Sequence, residues 1–162
     1  MSRLIATFFG AGLLKPAPGT WGSLAALPAF WVLHSLGGIW LVVVATIAVF
    51  ALGVWVTKLE TAGKDDHDPS EIVIDEVAGQ WIALMPVSFG AQVAGADVLA
   101  LYPGWIAAFV FFRLFDIWKP GPVGWADRRH DAMGVMLDDV IAGAMAAACV
   151  AGLAAFAHAV LM

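Results

Sequence analysis

Apolar residues run along this chain in long uninterrupted stretches, and charged residues fall between them in three tight groups. Residues 16–57 hold no Asp, Glu, Lys or Arg. A helical membrane span needs about 20 mostly apolar residues, so this run is long enough for two, and SLGG at 35–38 supplies the break. The pattern predicts span 1 over 21–34, with Pro28 marking it for a tilt or kink, and span 2 over 39–57. A further uncharged run over 77–96 predicts span 3 in its first part. Residues 98–112 continue into Arg113 and Asp116 as span 4, and 140–162 form most of span 5. The fold class expected is all-α: a polytopic helical membrane bundle of about five spans, forming one membrane-embedded domain over 1–162. The first twelve residues are soon interrupted by Lys15 and prolines, so a cleaved signal peptide is not expected.

Five spans alternate the connecting segments between two sides. All 8 Lys and Arg then fall on one side: Arg3 and Lys15, Lys58 and Lys64, and Arg113, Lys119, Arg128 and Arg129. Positively charged segments stay in the cytoplasm, which predicts a cytoplasmic N-terminus and an outer C-terminus. Of the 13 acids, only Asp97 falls on the outer side. Composition agrees: 62% of the 162 residues are hydrophobic, 13% are charged and the mean hydropathy is +0.88. A soluble chain this small lacks the interior to hide so much apolar surface. The net charge of −5, with no basic excess, gives no reason to expect nucleic acid as a partner. Cys149 sits in an apolar run as a packing residue, and His34 and His158 lie toward outer span ends.

Four segments on the inner side carry candidate chemistry. In KPAPGTWGS (15–23), Gly19 permits close backbone approach and Thr20 is expected to cap span 1, whose N-terminus beside Lys15 suits a phosphate. In DDHDPSEIVIDEVAG (65–79), most of the carboxylates read as a solvated face. Asp75 and Glu76 stand at a span mouth, where carboxylates need a partner or a cation. Gly79 lets another helix come close, and His67 reads as a solvated loop residue. In FRLFDIWKPGPVGWADRRH (112–130), Arg113 and Asp116 pair at i, i+3 and Pro120 ends the helix. Lys119, Arg128 and Arg129 suit an anionic headgroup or a lipid-surface anchor. In GVMLDDVIAGAMAAA (134–148), Asp138 and Asp139 are expected to begin the last span, where adjacent carboxylates serve either the helix dipole or a divalent cation. Oxygen ligands of this kind suit Mg²⁺ or Mn²⁺.

These segments resemble the phosphatidylglycerophosphatase A family. The resemblance rests on APGTWGSLAALP (17–28), HDPSEIVIDEVAGQWIAL (67–84), FRLFDIWKPGPVGWADR (112–128) and MGVMLDD (133–139), in the family's order. The family pattern falls on Gly19, Thr20, Gly22 and Ser23, then on Asp68, Asp75, Glu76 and Gly79. It continues on Arg113, Asp116, Lys119, Pro120, Pro122 and Asp127, and ends on Gly134, Asp138 and Asp139. Asp131 and Ala132 depart from it, because the family commonly carries a glycine pair there.

The resemblance implies Mg²⁺-dependent hydrolysis of the lipid phosphatidylglycerophosphate to phosphatidylglycerol and inorganic phosphate, at the cytoplasmic face of a bacterial inner membrane. Asp75, Glu76, Asp138 and Asp139, with Asp68, are the expected metal ligands. Arg113, Lys119 and Arg128, with Gly19 and Thr20, are expected to hold the phosphate, and Asp116, Lys119, Arg113 and Asp68 to carry the chemistry. Asp116 orients a cation or acts as general acid. Assembly into a homo-oligomer stays open. A small ion- or proton-coupled transporter is the competing class, but it calls for charges at mid-membrane or on both sides. A purely structural subunit leaves the paired acids at two span mouths unexplained.

Overall fold

The computed structural model describes residues 1–64 and 66–161, so Asp65 of the acidic run lies outside the described residues. The described chain forms α1 (Ser2–Ala6), α2 (Pro18–Thr61), α3 (Ile74–Ala94), α4 (Tyr102–Trp118), α5 (Pro122–Asp127) and α6 (Ala132–Leu161). Single 3₁₀ turns at Ala11–Leu13 and Val98–Leu101 precede α2 and α4. Four helical stretches are long and apolar enough to cross a membrane: Pro18–Thr61, Ile74–Ala94, Val98–Trp118 and Ala132–Val160. The first bends at Gly37 and Gly38, where the backbone leaves helical torsions, and its two arms bring the membrane-length segments to about five. The helix runs on through Pro28 without a break.

The bend needs glycine. Gly38 sits at φ 60°, ψ −155°, a region essentially closed to other residues. A Cβ there would also meet the Gln92 side-chain oxygen at 2.4 Å. That oxygen accepts the Ile39 backbone N–H at 3.1 Å, tying the bend to the far end of α3. His34 and Ser88 pair at 2.7 Å nearby, giving His34 a packing role. Gly38→Ala is expected to cost about 1–3 kcal/mol, seen as a lower melting temperature in detergent. The effect should be confined to stability, because the bend is remote from the acidic end.

The third helix is the hub, and small residues set its distance from its neighbours. Gly22 lies against Val73, and the Trp81 indole N–H donates to the Ala26 carbonyl at 2.9 Å, fixing α2 on α3. Gly79 and Gly143 bring α3 and α6 into backbone contact: a Cβ on Gly143 would lie 2.3 Å from the Gly79 oxygen. In lipid, where there is no hydrophobic drive between helices, such close packing supplies the attraction. Phe30, Leu84, Phe112, Ala142 and Ala146 fill the interior between these helices.

Two helix starts differ from the sequence expectation. Thr20 does not cap α2: Ala17 holds the cap position without a side-chain bond, and Pro18 opens the helix. Proline at the first helical position has its φ preset and lacks only an N–H that would be orphaned anyway. The last helix begins at Ala132, so Asp138 and Asp139 lie inside it rather than in its first turn. The helix-dipole account of these acids is therefore corrected. Asp131 supplies the start instead. Its carboxylate accepts the Gly134 N–H at 2.6 Å and pairs with Arg129 at 3.1 Å. Those two contacts hold the Asp131 carboxyl below its usual range, the Arg129 bond foremost. Where the family often has glycine, this chain has a capping residue.

Candidate active site

The ends of α2, α3, α4 and α6 that carry the charges enclose a cavity of about 310 Å³. Ala17, Pro18 and Gly19 form one wall. Asp75 and Glu76 enter from the first turn of α3, and Asp138 and Asp139 from α6. Arg113 and Asp116 come from the end of α4, with Lys119 at its cap, while Asp68, Ser70 and Ile72 close the rim. Of the residues expected from the sequence, Thr20 and Arg128 do not line this cavity. Arg128 follows α5 at the exposed surface.

The carboxylates divide into two groups. Asp75, Glu76 and Asp139 each bring an oxygen within 4.8 Å of the others, a cluster that could hold a metal ion. Glu76 Oε2 and Asp139 Oδ1 are buried and have no hydrogen-bond partner. Buried, unpaired carboxylate oxygens are costly, and an all-oxygen set of this charge fits a hard divalent cation. Asp138 turns away to Lys119, at 2.9 Å. The division follows the helix: successive residues point about 100° apart, and Asp138 faces Lys119 while Asp139 faces Asp75 and Glu76. Asp75 and Glu76 are also adjacent, but the longer Glu76 side chain reaches the cluster. Asp68 reaches the cavity rim without joining it.

The cations are held in place by acids. Arg113 pairs with Asp116 at 2.6 Å, reaches Glu76 at 4.0 Å and donates to the Ser23 hydroxyl at 3.4 Å. Ser23 in turn donates to the Gly19 carbonyl at 2.9 Å. Gly19 is wedged here: a Cβ would meet Glu76 Oε1 at 2.2 Å and Arg113 Nη1 at 3.2 Å. Lys119 adopts a left-handed cap conformation, φ 50°, and bonds both Asp127 and Asp138. Burial alone would weaken its charge, but the bonds to Asp127 and Asp138 outweigh it and hold the ammonium above its usual range. The stability this adds is present below about pH 10 and is lost as pH rises through the raised value. Lys119 is therefore a fixed cation at physiological pH. Ser23 and Asp127 belonged to the matched sequence pattern without an assigned role, and the geometry now gives them one: each holds a cavity cation. Ser70 had no signal beyond its nearness to Asp68.

Fold and cavity together define a helical membrane protein with an acid cluster and two anchored cations at one end, a constellation suited to phosphate chemistry. A family model for phosphatidylglycerophosphatase A matches residues 4–154. Among curated proteins, phosphatidylglycerophosphatase A of Escherichia coli is 38% identical over 147 residues, covering 90% of this chain and 78% of the relative. The Haemophilus influenzae protein of the same name is 40% identical over 142 residues, covering 86% and 80%. A Bacteroides thetaiotaomicron protein with a provisional name as a phosphatidylinositol-3-phosphatase is 37% identical over 145 residues, covering 86% and 85%. No solved structure matches the chain significantly. The chain belongs to the phosphatidylglycerophosphatase A family, and is thus a phosphatase.

Proposed function

We propose that this protein hydrolyses phosphatidylglycerophosphate to phosphatidylglycerol and inorganic phosphate, with Mg²⁺, at the cytoplasmic face of a bacterial inner membrane. The reaction belongs to phospholipid biosynthesis. The observation that carries this reading is the meeting of the Asp75–Glu76–Asp139 cluster with Arg113 and Lys119 in one cavity. The clustering of Lys and Arg on one side of the spans supports the cytoplasmic placement.

Asp75, Glu76 and Asp139 would hold Mg²⁺, with Asp68 and Asp138 as flanking acids. A divalent cation there would supply Lewis acidity, lowering the pKa of water and offsetting phosphate charge. Phosphoryl transfer otherwise needs mainly positioning and charge stabilisation. Arg113 and Lys119 take the phosphate oxygens, and the backbone at Gly19 lies beside Arg113 to receive them; Thr20, expected from the sequence to share that role, lies outside the cavity lining. Arg128, outside the cavity, serves the headgroup approach. Asp116, tied to Arg113 at 2.6 Å, orients that guanidinium. Asp68, on the rim, is then the better placed acid to protonate the departing glycerol oxygen. Water attacks phosphorus as the bond from phosphorus to the glycerol oxygen breaks; Asp68 gives that oxygen its proton and regains one from the attacking water.

Phosphate release by the purified protein from phosphatidylglycerophosphate, phosphatidic acid and phosphatidylinositol-3-phosphate tests the substrate. The highest kcat/KM is expected for phosphatidylglycerophosphate; preference for either other lipid would overturn the assignment. Gly19→Ala should cost about 10–100-fold in phosphate release, since a misplacement near 1 Å carries losses of that order. Its melting temperature should stay close to wild type.

A further inference from the structure

The segment before α2 has a surface that neither the cavity nor the spans explain. Ala6, Thr7 and Gly12 face inward, while Leu4, Phe9 and Leu13 are 54%, 74% and 54% exposed. Leu14 is exposed beside them. Presenting Phe9 outward takes an unusual backbone. Phe8 and Phe9 both adopt left-handed torsions, φ 42° and 57°, and Gly10 follows at 94°. Bulky residues rarely enter that region, and they persist there only where their surroundings hold them. The hold is visible here. The Phe9 N–H donates to the Leu4 carbonyl at 2.8 Å, the Gly12 N–H donates to the Thr7 carbonyl at 3.0 Å, and Phe8 packs into the interior.

We propose that residues 1–14 form an interfacial wedge, lying at the boundary of headgroups and acyl chains beside the mouth of the cavity. The occupant of its apolar face is the bilayer, enriched in anionic lipid. Charge supports that occupant: Lys15 follows the apolar residues, Arg3 precedes them with part of its fork on Glu71, and no acid occurs before Glu60 in the sequence. Continuity supports it as well. Trp21 and Leu24, exposed on the first turns of α2, carry the apolar surface on into the membrane span. The wedge is also joined to the site. Ala6 accepts the Val73 N–H at 2.9 Å, Gly12 presses on the Glu71 carbonyl, and Arg3 pairs with Glu71 at 3.3 Å. Val73 leads within two residues to Asp75, and Ala17–Gly19 line the cavity directly after the wedge. A lipid headgroup at the wedge thus lies next to the cavity entrance.

Spin labels test the placement without reference to activity. In a Cys149→Ala background, labels at Phe9→Cys and Leu13→Cys are read in nanodiscs containing phosphatidylglycerol, with Lys64→Cys as aqueous control and Val44→Cys as lipid control. Labels at 9 and 13 should be relaxed by oxygen more than by an aqueous nickel chelate, as at 44. Relaxation like that at 64, or spin–spin broadening from a second copy, would overturn the wedge. A second arm rests on the proposed lipid-phosphatase reading. Phe9→Ser with Leu13→Ser should raise the surface-concentration KM in mixed micelles at least about threefold with kcat unchanged. An unchanged surface KM would count against the wedge. A wild-type protein inactive on every lipid would sink the phosphatase reading and leave the labelling result standing.

Discussion

Asp139→Asn is expected to lower phosphate release about 10²–10³-fold, a loss typical when stabilisation of transition-state charge is removed, here that of the cation this carboxylate would hold. The substitution keeps the shape of the side chain and removes its charge. Asp139 Oδ1 is buried without a hydrogen-bond partner, and the carboxylate clusters with those of Asp75 and Glu76. The helix that carries it is fixed by the backbone contact of Gly79 with Gly143, so the variant should remain folded. Cation binding should fall with activity, and Mn²⁺ titration followed by electron paramagnetic resonance reads it directly. Asp138→Asn makes the contrast. Its carboxylate is engaged by Lys119 at 2.9 Å, so cation binding should fall less than in Asp139→Asn. Equal loss of Mn²⁺ affinity in both would contradict the division of the two aspartates.

Arg113→Lys should cost about 10²-fold in kcat/KM despite keeping the charge. Arginine offers a planar fork of donors, whereas lysine is a compact point charge. All three contacts of Arg113, to Asp116, Glu76 and Ser23, go through Nη1, which leaves the other arm of the fork for a phosphate; a single ammonium would have to give up one of those partners to meet it. The loss should appear in both KM and kcat, because the guanidinium binds the ground-state phosphate and its developing charge. A variant within about twofold of wild type would remove Arg113 from the phosphate site.

Much of this arrangement is legible in the chain because lipid makes charge expensive. Uncharged runs mark the spans, the Gly pair at 37–38 marks the bend, and the cavity's Arg113 and Lys119 fall outside the uncharged runs. Spacing also gives the Arg113–Asp116 pair, since residues three apart share a helix face. Helix starts read less well. Taking the loss of charge as the start of span 5 misses that α6 already runs through Asp138 and Asp139, launched by the Asp131 cap. Thr20 has the chemistry of a cap, but Pro18 opens the helix before it. Partner choice among the acids needs three dimensions. Nothing in the sequence tells that Asp138 serves Lys119 while Asp139 joins Asp75 and Glu76.

The most direct test is phosphate release from phosphatidylglycerophosphate by wild type and Asp75→Asn, before EDTA, after EDTA and after readdition of Mg²⁺. Asp75 is a member of the carboxylate cluster and Arg113 and Lys119 line the same cavity, so both treatments strike one site. Wild type should lose nearly all activity to EDTA and regain it with Mg²⁺, while Asp75→Asn stays inactive throughout. Full activity in EDTA, or a folded Asp75→Asn protein that works as wild type does, would contradict a cation held by these carboxylates.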